Sequence, residues 1–145
     1  MAKTTVFLGG TCSESTWREE LIAMLDDTKV SAFNPVVDDW NEEAQANEDF
    51  HKENDDLMLF VLTPEMQGVY SIFEIADLSN KRPNRTVFCV LNERDGKSFN
   101  VMVQKNMIKI KKDVAKNGAK VCDSLKEVAE YLNAYVAPTS TAPLA

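Results

Sequence analysis

The run Leu57–Leu62 (LMLFVL) constrains the fold more than any other part of the chain. A strand with one wet face alternates apolar and polar residues, because successive side chains point to opposite sides. Six apolar residues without alternation fit a strand covered on both faces, the usual condition in a parallel sheet. Thr86–Leu91 (TVFCVL) repeats the pattern. Shorter β-rich runs at Lys3–Leu8 (KTTVFL), Val30–Phe33 and Lys120–Val121 bring the count to about five strands. Helical spacing separates them. Trp17, Leu21, Met24 and Leu25 mark a helix from about Ser13 to Asp26, with Ser13 as N-cap. Asn41 caps an acidic helix, Glu42–Asn54, and further helices are expected at Val69–Asn80, Asn100–Lys112 and Ser124–Tyr135. Strands alternating with helices imply an α/β three-layer sandwich around a parallel sheet.

The 145 residues fit one domain, read as 1–136, followed by a patternless tail at 137–145 with two prolines. An apolar fraction of 44% supplies a core without staples. The formal charge of −7 argues against a nucleic-acid polymer as partner, since such binding runs on Lys and Arg neutralising phosphates. No run approaches the length of a membrane helix and no leader pattern opens the chain, so no membrane association is expected. Cys12, Cys89 and Cys122 are odd in number and lack metal spacing; they read as reduced thiols of a cytoplasmic protein.

In such folds ligands bind beyond the carboxyl ends of the strands, which directs attention to Gly9–Ser13, Thr63–Gly68 and Asn92–Lys97. Gly9-Gly10 leads from a strand toward a helix. It suits either backbone donation to a ligand or a tight turn that glycine permits. Glu74 stands among apolar neighbours on its helix, where a carboxylate needs a partner, and the Tyr70 and Ser71 hydroxyls lie on its face. A carboxylate in such a cleft serves as nucleophile or acid/base. Asp55 and Asp56 precede the LMLFVL strand; Asp55 reads as a polar turn, while Asp56 suits either a turn or a site. Asp38, Asp39 and Trp40 form an acidic loop read as a turn packed by Trp40, and the single histidine, His51, is expected in solvent.

The segments KTTVFLGG, FNPVVDDW and NDDLMLFVLTPEMQGVYSIFEIADLS together resemble the nucleoside 2-deoxyribosyltransferase-like family. The resemblance implies a flavodoxin-like fold and cleavage of the N-glycosidic bond of 2′-deoxynucleosides or their monophosphates. The deoxyribosyl group passes to another base or to water, through an ester on a glutamate. It makes Glu74 that nucleophile and Asp56 its acidic partner. Gly9-Gly10 matches the first glycine turn, with Tyr70 as a replacement hydroxyl beside the sugar. Asn100-Val101-Met102 resembles an Asn-x-Met segment that reaches a neighbouring subunit's site, implying at least a homodimer. Two positions depart from the pattern: Val6 stands where a tyrosine is usual, and Gly68 where an aspartate holds the sugar. The chemistry requires no metal or redox cofactor. A relative that binds nucleotides without turnover is the competing reading, and an unrelated flavodoxin-like signalling domain a third.

Overall fold

The computed structural model describes residues 2–12 and 15–138. Five parallel strands form the central sheet: β1 (Thr4–Gly10), β2 (Val30–Phe33), β3 (Leu57–Leu62), β4 (Thr86–Val90) and, last in the chain, β7 (Lys120–Cys122). Their order is β2-β1-β3-β4-β7. The chain steps outward from β1 to β2, then returns to the other side of β1 for β3, so the order reverses between β1 and β3. Helices α1 (Trp17–Met24), α2 (Glu42–Asn54), α3 (Tyr70–Lys81), α4 (Val101–Lys116) and α5 (Leu125–Ala134) complete a flavodoxin-like sandwich.

The sheet divides the core in two. Leu57, Leu59 and Val61 of β3 join Val6, Leu8, Val87 and Cys89 against α1 and α5. Met58, Phe60 and Leu62 join Phe7, Phe88 and Val90 against α3 and α4. Each residue of β3 is fully buried, and the two-residue period sends alternate side chains to opposite layers.

Several boundaries differ from those expected. β1 runs on through Gly9 and Gly10, which pair with Phe60 and Val61. Helix α1 begins at Trp17, and Ser13, the expected N-cap, lies outside the described residues. The polar stretch after β4 folds into a hairpin of β5 (Glu93–Arg94) and β6 (Lys97–Ser98) around Asp95-Gly96, both at positive φ, the signature of a tight two-residue loop. Asn41, Asn100 and Ser124 each accept a hydrogen bond from a first-turn amide and so cap α2, α4 and α5.

Helix α2 buries no residue completely. His51 and Asp55 anchor it. The His51 ring stacks on Phe33 at 3.7 Å between centroids, and its Nδ1 lies 2.9 Å from Asp55 Oδ1. His51 is therefore a packed side chain rather than a free one, and Asp55 lies in the turn between α2 and β3, where it is buried. Burial pushes the Asp55 carboxyl up from its ordinary value, against the downward pull of His51. Trp40 is 63% exposed and does not pack the acidic loop as expected.

All three cysteines are free; Cys12 is exposed, while Cys89 and Cys122 are buried in register on β4 and β7. Burial pushes Cys89 up to about 12 and Cys122 up to about 11. The unfolded chain releases these protons near 9, where the folded chain still holds them, so stability is lost as pH rises above that value. Melting scans to about pH 10.5 are expected to show losses approaching ~2 kcal/mol per thiol. Cys89→Ala and Cys122→Ala each flatten this slope, whatever they cost at neutral pH.

Candidate active site

Three of the loops named from sequence converge at the carboxyl ends of β1 and β3. Thr11 Oγ1 accepts the Thr63 amide at 2.9 Å, and the Thr11 amide donates to the Val61 carbonyl. Beneath them the Arg18 guanidinium, 2% exposed, donates to the carbonyls of Leu8 and Thr11 at 3.0 and 2.7 Å. Its burial lowers its pKa, and carbonyl dipoles take the place of a carboxylate. Glu65 accepts from Ser15 and Thr63 hydroxyls, while Arg94 Nη2 donates to Glu20 at 2.7 Å and its Nε stands 3.7 Å from Glu65. These contacts consume the polar groups that a ligand would otherwise meet. The cavity remaining there is small, about 140 Å³, lined by Gly10, Thr11, Cys12, Gly68 and Tyr70 among others.

Gly9 and Gly10 serve the backbone. A Cβ on Gly10, at φ +111°, would stand 2.1 Å from the Val61 carbonyl oxygen, and one on Gly9 would stand 2.7 Å from the Phe60 ring. Close approach of β3 accounts for both glycines, which lie within the strand rather than in a turn.

A larger opening is a cleft of about 440 Å³ between α2 and α3. Glu74 faces it, with Tyr70, Phe73 and Asp77 on the same helix and Asp49, Lys52 and Glu53 opposite. The helical repeat explains the grouping, since residues 70, 73, 74 and 77 share one side of α3. The Glu74 side chain is 16% exposed, and its Oε2 lies 3.0 Å from Lys52 Nζ. The same ammonium lies 3.2 Å from Glu48 Oε1, one turn earlier on α2, and 5.6 Å from the centre of the Phe7 ring. Burial lowers the Lys52 pKa, but the Glu74 and Glu48 carboxylates outweigh it and the net shift is upward. The expected hydroxyl partners play no part: among the described residues neither Tyr70 nor Ser71 bonds to Glu74, and Tyr70 and Phe73 are exposed at the rim with rings 5.6 Å apart. The remaining cations of the cleft are matched as well, Lys81 to Asp77 and Arg82 to Glu53. Among the described residues, Asp49 is the lining carboxyl without a cation; it accepts from the Gln45 amide at 2.7 Å.

Asp56 requires a correction. It does not share the cleft with Glu74. Its Oδ2 accepts the Thr5 amide at 2.9 Å and the Thr5 hydroxyl at 3.2 Å, and its own amide donates to Thr5 Oγ1. It lies at the amino end of β3, beside a separate cavity lined by Arg85 and Tyr135. A residue immediately before a strand lies at the end opposite the loop that follows it. Arg85 donates to the carbonyls of Asp55 and Asp56 and seals this turn.

Asn100 also lies away from Glu74. It caps α4 through Val103 and lines another groove with Gly68, Val69 and Phe99. Met102 is 66% exposed on the outer face of α4. Val6, at the position where the resemblance leads one to expect a tyrosine, is fully buried, and around Gly68 there is open space. Glu48, Asp49 and Lys52 were not singled out from sequence. Their helix is polar all round, so no periodicity separates a cleft face from a solvated one. Among the described residues, no group of three or more His, Cys, Asp or Glu is placed to hold a metal, and no helix is long and apolar enough to cross a membrane.

The chain is thus a doubly wound α/β sandwich that presents a carboxylate–ammonium pair in a cleft between α2 and α3. Residues 3–93 match a family model described as nucleoside 2-deoxyribosyltransferase like, and the chain belongs to that family. The match includes Glu74 and ends before Asn100. A search of curated proteins found no match.

Asp56→Ala tests the corrected placement. Loss of its two accepted hydrogen bonds is expected to cost about 1–3 kcal/mol of stability in denaturant titration. Any turnover is expected to stay within about twofold of the parent.

Proposed function

We propose that the chain cleaves the N-glycosidic bond of 2′-deoxynucleosides or their 5′-monophosphates and passes the deoxyribosyl group to a second base or to water. The observation that carries this is Glu74: a carboxylate in a cleft, with Oε2 engaged by Lys52 and, among the described residues, no hydrogen bond on Oε1. In this reading Oε1 attacks C1′ and forms an ester. The C1′–N bond breaks, its electron pair goes to the base nitrogen, and Asp49 is the carboxyl available to exchange a proton with that base. A second base, or water, then attacks C1′ from the vacated side and gives up its proton to Asp49, and Glu74 leaves as a carboxylate. Two inversions give net retention. The cleft volume lies within the range of small-molecule sites, and Tyr70 and Phe73 offer aromatic surface for a base at its rim. Absence of the 2′-hydroxyl eases charge development at C1′, so deoxy substrates are favoured over ribo forms.

The reading includes a homodimer in which Asn100 and Met102 complete the partner's cleft. Their support is the resemblance together with the exposure of Val101 and Met102 at the start of α4. A second reading, binding without turnover, is favoured by the buried Val6 and by Gly68, neither of which offers a sugar-holding side chain.

The test is incubation with deoxyribo- and ribonucleosides and their monophosphates, with and without a second base, followed by chromatography of free bases. Deoxy forms are expected to be cleaved and ribo forms to be slower. Glu74→Gln is expected to lower the rate by at least ~10³-fold with the fold intact. Ligand-raised melting temperature without base release supports the binding module instead.

Light scattering addresses the assembly. A dimer whose specific activity falls on dilution is expected, and full activity in a monomer removes Asn100 and Met102 from the site.

A further inference from the structure

Of the three cations that line the cleft, Lys52 is the one that touches Glu74. We propose that Lys52 is the positioning residue of the nucleophile, an inference that rests on the reading of Glu74 above. Its ammonium lies 3.0 Å from Glu74 Oε2, 3.2 Å from Glu48 Oε1 and 5.6 Å from the centre of the Phe7 ring. A carboxylate rotates freely about its last bond, and near-attack geometry requires one oxygen to be presented. Lys52 holds Oε2 and thereby presents Oε1.

The three-membered arrangement also accommodates the change of charge during the reaction. When Oε1 bonds to C1′ and the C1′–N pair leaves with the base, Glu74 becomes a neutral ester. Lys52 then still has Glu48, so no half-buried ammonium is left without a counter-charge. When the acceptor attacks C1′ and the ester oxygen departs, negative charge returns to the Glu74 carboxylate beside a cation already in place. Glu48 thus belongs to the device as the fixed anion of Lys52. It is one turn away on α2, a spacing that pre-forms the pair before substrate arrives.

A latch that merely joins α2 to α3 would need the same contacts, and kinetics separate the two. In the panel above, Lys52→Met is expected to lower kcat by roughly 10²-fold with KM within about threefold, the signature of an interaction made through the reacting group. Lys52→Arg keeps the cation and is expected to stay within about tenfold of the parent. Methylammonium added to Lys52→Ala is expected to restore part of the lost kcat. Circular dichroism and melting establish that each variant is folded; if the methionine variant is not, Lys52→Gln against Lys52→Arg makes the same comparison. Unchanged kcat in the methionine variant, or equal losses in the methionine and arginine variants with raised KM and no amine rescue, overturns the inference and leaves the nucleophile assignment standing. A parent protein without turnover of any nucleoside overturns both.

Discussion

The double burial of β3 is the constraint on which the rest of the molecule depends. Its six side chains leave the strand alternately to the two faces of the sheet, and none reaches water. Each such burial is worth about 1.5–3 kcal/mol, obtained only if helices cover both sides and strands flank both edges. β1 and β4 supply the edges, α1 and α5 one face, α3 and α4 the other. The approach of β1 is close enough that Gly10 must lack a Cβ. Because α3 follows β3 and packs back along it, the helix that carries Glu74 inherits its position from this strand.

The seam between α2 and α3 is built by different forces. Helix α2 brings no fully buried residue, so apolar packing alone does not hold it. A ring stack on Phe33, the His51–Asp55 contact, the Arg85 donations to the end of the helix and the Lys52 bridge to Glu74 hold it instead. Such contacts are directional and individually modest. The opposite arrangement holds at the carboxyl ends of β1 and β3, where buried Arg18, Thr11 and Thr63 bond among themselves. That is the position the topology recommends for a ligand, yet its polar groups are largely spent on one another, and the cleft that Glu74 faces lies to one side.

What the sequence by itself determined is what depends on local order and periodicity. LMLFVL and TVFCVL specified doubly covered strands, Asn41 the start of its helix, and the alternation of elements a parallel α/β sandwich, because each signal is read within a few residues. Glu74 was legible as a polar exception on a partly apolar helix. What only the tertiary structure decided is what touches that carboxylate. Asp56 stands beside the right strand in sequence but at its far end in space, a strand length from the loop that follows. Lys52 and Glu48 carry no sequence signal, since on a helix with charges all round every position resembles a solvated one. Their meeting with Glu74 depends on how two helices separated by β3 are brought side by side, and that is set by long-range packing rather than by any spacing along the chain.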